Sequence, residues 1–440
     1  MANPVYGDID ALGSAKFFIQ FGMKQEANNI LDMIFPYCTN MGQIDAIGME
    51  YANNRNFLGA LECAKKAIKL ATSESQKNDC RINLIRSYLN SNMPNEALEH
   101  IDYVDTITHD NDPNNLDRAF AYFLLNRKDE AEAIIRGTLA KDIPLTTEVR
   151  NRCQFNLASY DLRNGDFKEG LKNFLIRGRT MDIWQEYTLN NRFWSGEDIP
   201  GATIVLMTEG GIGDEFINVR FMKHLKDRGM RGVWYTDRND VADLFSRCGF
   251  ETITDIADIN PTWYWTYAMQ MPVHLDVDES ELWDGPFLEV KDKRDVIPKT
   301  IGLKISGNKN YDQDLARNIP LEDILAVIPE EYTVYSFQFD DPIDHPRLVN
   351  WMDADKTTWD DTLNKMGEME FMISSCTSLI HAAGAIGKKS YVFTPILRYY
   401  PWGNDKSRSP WYDDNLTVLH QVTNNSWEEP VAVLGELINE

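Results

Sequence analysis

Residues 203–215 read TIVLMTEGGIGDE. The first half is apolar and β-branched, about the length of one buried strand, and the second half is a glycine turn running into acidic residues. A strand that stops at glycines and resumes as a helix (VRFMKHLKDRG, 219–229) opens a parallel α/β unit, because a parallel sheet returns its chain through a helix. Gly210, Gly211 and Gly213 let the backbone turn tightly and come close to a ligand. Their spacing is not the dinucleotide G-x-G-x-x-G and no P-loop lysine follows, so neither NAD nor ATP is indicated. Asp214 stands where a helix cap or a general base would stand, and the stretch alone admits both.

Downstream the alternation continues. GVWYT (232–236) reads as a strand, DVADLFSRCG (240–249) as a helix and ETITD (251–255) as a strand. The stretch 256–296, rich in Trp, Tyr and Pro, is less regular and ends in FLEVKDKRDVIP, which reads as a strand followed by a linker. A second series follows, with strands expected in TIGLKIS (300–306), YTVYSFQF (332–339), FMISS (371–375), KSYVFT (389–394) and LTVLHQV (416–422). Helices are expected in LEDILAVI (321–328), WDDTLNKMGEM (359–369), SLIHAAGAIG (378–387) and the closing SWEEPVAVLGELINE. The chain should therefore carry two Rossmann-like domains, at 200–290 and 298–440, facing each other across a cleft. Ligands in open sheets of this kind sit at the carboxyl ends of the strands.

Two further motifs fall at such ends. Ser374-Ser375-Cys376-Thr377-Ser378 leads into a helix, where hydroxyls cap and backbone N–H groups suit a diphosphate; the bland alternative is a capped helix alone. His381, one turn in, faces either a ligand or the core, and Gly384 and Gly387 permit close packing. Gly307-Asn308-Lys309-Asn310, followed by Arg317, is a polar loop with two cations, suited to a phosphate or simply solvated.

Upstream of residue 200 the pattern is a repeat. A small residue follows a polar turn at Ala27, Ala60, Ala97, Ala131 and Gly170, at spacings of 33, 37, 34 and 39. Twelve residues before each stand Ala15, Gly48, Ile85, Ala119 and Ala158; three after those stand Phe18, Tyr51, Tyr88, Tyr122 and Asp161. A small residue lets a second helix approach, and an aromatic one turn on fills the gap toward the next pair. This period resembles tetratricopeptide repeats and covers residues 1–185 as a helical domain. Such an array recruits a protein or peptide on its concave face, or serves self-association; the sequence leaves both open.

Composition limits the function classes. The net charge is −24, and residues 201–440 alone hold 22 basic and 40 acidic side chains, the wrong sign for a nonspecific nucleic-acid binder. A basic stripe at Lys168, Lys172, Arg177 and Arg179 keeps action on a modified nucleic-acid base open as an alternative. Six scattered cysteines without C-x-x-C pairs read as reduced buried thiols, and seven histidines show no metal-ligand spacing, so no metal is expected. No leader-like segment and no apolar run long enough to span a bilayer is seen, and a cytoplasmic protein is expected.

Taken together, G-x-G-D at Gly211–Asp214, Arg317 with Ile319-Pro320-Leu321, Thr377 to Gly387, and Ser409-Pro410-Trp411-Tyr412 resemble the family 9 glycosyltransferases, the ADP-heptose:lipopolysaccharide heptosyltransferase group. The likeness is closest to proteins that fuse tetratricopeptide repeats to such a domain. It implies a GT-B fold and an inverting, metal-independent sugar transfer from a nucleotide sugar to an acceptor hydroxyl on a glycan, lipid-linked glycan or protein. It implies Asp214 as catalytic base and a donor site built from Gly307, Asn308, Lys309, Arg317, Cys376, Thr377, Ser378 and His381. The family commonly has Asp immediately before the threonine, where this chain has Cys376. That departure leaves a non-catalytic scaffold with a degenerate transferase domain as the rival reading.

Overall fold

A computed structural model describes residues 10–107, 112–141, 145–176, 191–309, 314–339, 342–353, 357–404 and 406–439. The chain forms two compact units, one of Met1–Thr138 with Asn310–Leu315, the other of Leu139–Lys309 with Ala316–Glu440.

The first unit is built of helix pairs: α1 (Ala11–Gln20) with α2 (Lys24–Ile34), α3 (Met41–Asn53) with α4 (Phe57–Leu70), α5 (Glu74–Asn90) with α6 (Pro94–Asp105), and α7 (Asp112–Leu124) with α8 (Lys128–Leu139). Two residues ahead of each second helix the backbone turns left-handed, at Gly22, Arg55, Asn92 and Asn126. Glycine and asparagine adopt that conformation at little cost, whereas Arg55 adopts it at a cost of about 1–2 kcal/mol. The small anchor residues are all the fourth residue of their helix, and Ala27, Ala97 and Ala131 are wholly buried. Tyr51 shows why the small-plus-aromatic pattern recurs. Its ring lies on Gly59, where an added Cβ would come within 2.7 Å, and its hydroxyl donates to Asp32 of the preceding pair at 2.5 Å.

The second unit begins with a fifth pair of the same design, α9 (Thr147–Asn164) and α10 (Phe167–Phe174), with Gly165 left-handed between them and Gly170 closed against Leu162. Two sheets follow. The first has the order β1-β5-β2-β3-β4, all parallel, from Arg192–Phe193 (β1), Thr203–Met207 (β2), Arg231–Tyr235 (β3), Thr252–Ile253 (β4) and Tyr264–Tyr267 (β5). The second comprises Thr300–Lys304 (β6), Thr333–Ser336 (β7), Leu348–Asn350 (β8), Phe371–Ser375 (β9), Ser390–Thr394 (β10), Arg408–Ser409 (β11) and Asp413–His420 (β12). Its order is β11-β12-β10-β9-β6-β7-β8, and only the β11–β12 edge is antiparallel. The main covering helices are α11 (Ile212–Asn218), α12 (Met222–Asp227), α13 (Asn239–Arg247), α14 (Leu321–Val327), α15 (Trp359–Glu368), α16 (Ser378–Ala385) and α17 (Glu428–Asn439). Helical repeats followed by two parallel α/β layers are the fold class expected from the sequence.

Several local readings need correction. The helix expected over 219–229 is a 3-10 turn at Val219–Phe221 followed by α12. No strand forms at 287–290; there the N–H groups of Phe287 and Leu288 donate to the carbonyl of Ala385, tying the segment to the end of α16. The missing strand of the first sheet is β5, inside the aromatic stretch that showed no clear alternation. Edge strands β1, β8 and β11 are two or three residues long, too short to impose a period.

One buried cluster runs through both sheets, and each sheet has a further cluster of its own. Leu206, Phe216 and Ile217 from the first half and Met372, Leu379 and Tyr412 from the second belong to the same buried cluster. Trp194, Trp234, Trp402 and Trp411 are fully buried; such rings bury roughly 150–250 Å² each and dominate the energetics of a core. Among the described residues no helix is long and apolar enough to cross a membrane.

Candidate functional site

Each sheet has one point where successive strands change direction. In the first sheet it lies between β2 and β5, in the second between β6 and β9. Loops leaving strands at such a point diverge to opposite faces and open a crevice. The glycine loop follows β2, and the segments 305–309 and 376–378 follow β6 and β9.

At the first crossover Gly210 is left-handed (φ 80°), and α11 begins after Gly211. Asp214 is its third residue, so its Oδ2 reaches back to accept the Gly211 N–H at 2.8 Å. Its Oδ1 accepts the hydroxyl of Tyr399 at 2.5 Å. The next residue, Glu215, is buried between Trp234 Nε1 (3.1 Å) and Arg238 Nη1 (2.6 Å); burial pushes its carboxyl above the usual range. Glu209 spans the crossover, accepting the Met269 N–H at 3.1 Å.

At the second crossover the Arg317 guanidinium is buried and donates to the carbonyls of Cys376 (3.1 Å) and Asn308 (3.0 Å). The Ser375 hydroxyl donates back to the Arg317 carbonyl at 2.9 Å, and the hydroxyls of Ser374 and Thr377 share a hydrogen bond at 3.2 Å. Gly307 closes the loop: a Cβ there would lie 2.4 Å from Arg317 Nη2. Asn308 and Lys309 are exposed. Thr377 is the residue before α16 and Ser378 its first residue, but the hydroxyl cap expected there is not made: the Thr377 side chain accepts no N–H of the helix and pairs with Ser374 instead.

The two crossovers meet. Helix α11 packs on α16, and a Cβ on Gly213 would come 3.0 Å from the His381 ring and 3.3 Å from Ser378 Cα. The structure thus brings Gly210, Gly211, Gly213, Asp214, Gly307, Asn308, Arg317, Cys376, Thr377 and Ser378 into one region. Lys309 ends the described segment of its loop. The ring of His381 is in the core, stacked 4.9 Å from Trp402, with Nδ1 2.9 Å from the Tyr412 hydroxyl. Burial first, and then the nearby Arg220 cation, hold its pKa down at about 3, so it is neutral. Cys376 is a buried thiol raised above its usual range by desolvation, against the opposing pull of Arg317. Among the described residues no three His, Cys, Asp or Glu side chains gather as metal ligands would.

The basic stripe is partly neutralised. Lys168 pairs with Asp276 and Asp278, and Lys172 with Glu169, while Arg177 and Arg179 lie outside the described residues. Sequence reasoning passed over three groups here. Tyr399 and Tyr400 come from the run RYYPWG (398–403), whose aromatic, Pro and Gly density was the available signal. The third, Lys304, is a buried cation at the end of β6 whose Nζ donates to the Phe337 carbonyl at 3.4 Å.

No protein-family profile matches the chain, and no curated protein sequence matches it. Among solved structures, a single-residue mutant of the O-GlcNAc transferase of Thermobaculum terrenum is similar at a TM-score of 0.40 and 10% identity, over 98% of this chain and 89% of that one. A likeness of that size carries no argument about chemistry.

Proposed function

We propose that the chain is a glycosyltransferase that moves a sugar from a nucleotide-sugar donor to an acceptor hydroxyl. The observation that supports this reading is the meeting of two crossover points, one bearing a carboxylate and the other a buried guanidinium beside the start of α16. In this reading residues 200–290 form the acceptor domain of a GT-B pair and residues 298–440 the donor domain. Asp214 takes the proton of the acceptor hydroxyl as that oxygen attacks the anomeric carbon. The bond to the nucleoside diphosphate breaks, and the configuration inverts. Charge growing on the leaving diphosphate is met by Arg317 and by the N–H groups at the start of α16, so no metal is required. The helix pairs recruit or orient the acceptor, for which a protein or a glycan is suitable.

A non-catalytic scaffold is the second reading, and one observation favours it: the buried neutral thiol of Cys376 stands where the resembled family has a carboxylate. A thermal-shift panel of ADP-, GDP-, UDP-, CDP- and dTDP-sugars separates the two. A ligand at a hundred times its dissociation constant stabilises the native chain by about 2.7 kcal/mol. One nucleotide standing out, with turnover abolished in Asp214→Asn and donor binding kept, supports the transferase. Full turnover in Asp214→Asn removes the base assignment, and no shift with any donor favours the scaffold.

A further inference from the structure

The Tyr399 hydroxyl donates to Asp214 Oδ1 at 2.5 Å, and Tyr399 is held by the fifth helix pair. Phe174, the last residue of α10, sits edge-on to the Tyr399 ring at 6.1 Å and against Tyr400 at 4.9 Å. The hydroxyl of Tyr400 accepts from Asn218 Nδ2 (3.2 Å), and Asn218 ends α11, the helix that carries Asp214. At the other end of α10, Phe167 meets Trp411. Leu162 of α9 lies so close to Gly403 that a Cβ there would come within 2.7 Å. The loop 399–403 is thus clamped between the helix pair and the helix of the proposed base.

From this arrangement we infer that Tyr399 is a positioning residue for Asp214, and that the fifth helix pair sets its position through Phe174. The inference rests on the transferase reading only for the use made of the carboxylate. A carboxylate oxygen accepts more than one hydrogen bond, so the bond from Tyr399 fixes the direction of Oδ1 without by itself barring an acceptor hydroxyl. The α9–α10 pair is then part of the site's architecture and not only an extension of the repeats.

The test reads the carboxyl itself. Full-length protein labelled with [4-13C]aspartate is titrated by 13C NMR, the Asp214 resonance being the one missing in Asp214→Asn. The ionisable groups that feel the charge of this carboxyl are Cys376 and Tyr412, and behind them Arg317 acts on the thiol and Arg220 on Tyr412 and His381. The thiol and the Tyr412 phenol are raised and neutral, and the two arginines stay charged. Tyr399→Phe removes a hydrogen bond to the charged form, so the midpoint should rise by about one pH unit or more. Phe174→Leu should move it in the same direction by less, and Phe167→Leu, which touches Trp411 instead, should leave it in place. An unmoved midpoint in folded Tyr399→Phe overturns the positioning role. A midpoint that moves in Tyr399→Phe but not in Phe174→Leu overturns the part assigned to the helix pair. Should Tyr399→Phe not fold, the phenol resonance of [ζ-13C]tyrosine-labelled wild type decides: it must follow the Asp214 titration. None of these readings needs a donor, so failure to find transfer leaves them standing, and their failure leaves transfer untouched.

Discussion

Gly307→Ala tests how the second crossover is built. The added Cβ would lie 2.4 Å from Arg317 Nη2 and 2.7 Å from its Cζ. Ordinary contact begins at 3.4 Å, so the guanidinium must retreat by about 1 Å. Its bonds to the Asn308 and Cys376 carbonyls are already 3.0 and 3.1 Å long, and that retreat takes at least one beyond reach. A hydrogen bond from a charged donor contributes about 1.5–3 kcal/mol, and the substitution should cost that much. All tryptophans lie at residue 184 or beyond, so fluorescence-detected urea unfolding reports on the second unit without interference from the first. A double-mutant cycle supplies the control. In an Arg317→Ala background the nearest atom left to the Cβ is Thr377 Cγ2, at 3.0 Å, and the same substitution should cost well under about 1 kcal/mol. Equal costs in the two backgrounds, within about 0.5 kcal/mol, would refute the reasoning.

Three more outcomes are expected. Gly384→Ala drives a Cβ to 2.4 Å from the ring of fully buried Tyr412 and should destabilise the second unit by about 1–3 kcal/mol, read by the same fluorescence. Cys376 should stay unmodified by a thiol reagent at pH 8 until urea unfolds the chain, because burial raises its pKa; prompt modification of the native protein at this residue argues against that environment. Acid should weaken the fold through His381, whose pKa falls from 6.5 to about 3 on burial. As pH drops through 6.5 the unfolded chain gains a proton that the folded chain refuses, so stability falls by about 1.4 kcal/mol per unit. His224 and His274, also lowered by burial, add in the same direction, and His381→Gln should flatten the slope between pH 7.5 and 5. An unchanged slope in that variant would remove His381 as a source.

What could be read from the sequence followed from periods. The repeat announced itself because a small residue must stand at the fourth position of each second helix, and that need recurs at a fixed distance. The long strands β2, β6, β9 and β10 were legible because a buried parallel strand is a continuous apolar run. Strand β5 was not, since YWTY (264–267) follows an Asn260-Pro261 turn but lies among aromatics that show no alternation. The site residues on glycine and hydroxyl motifs were legible as motifs, but their meeting was not. It depends on Gly213 approaching Ser378, a contact between positions 165 residues apart that no local pattern encodes. His381 illustrates the limit differently. A histidine one turn into a helix faces a ligand or the core equally well until Trp402 and Tyr412, from a distant loop, are seen to enclose it.

Cys376 can be weighed in the same physical terms. It lies close enough to Asp214 and Arg317 for both charges to act on its thiol. A carboxylate at this position would place two acids in one buried pocket, where they cannot both ionise readily. The raised thiol stays neutral instead, so residue 376 adds no second charge beside Asp214 and no carboxylate beside Arg317. Such an arrangement keeps a proton acceptor on one crossover and directs positive charge toward the other. If the proposed transfer holds, a thiol at residue 376 changes which groups a donor sugar would meet without removing the electrostatics that a departing diphosphate would need.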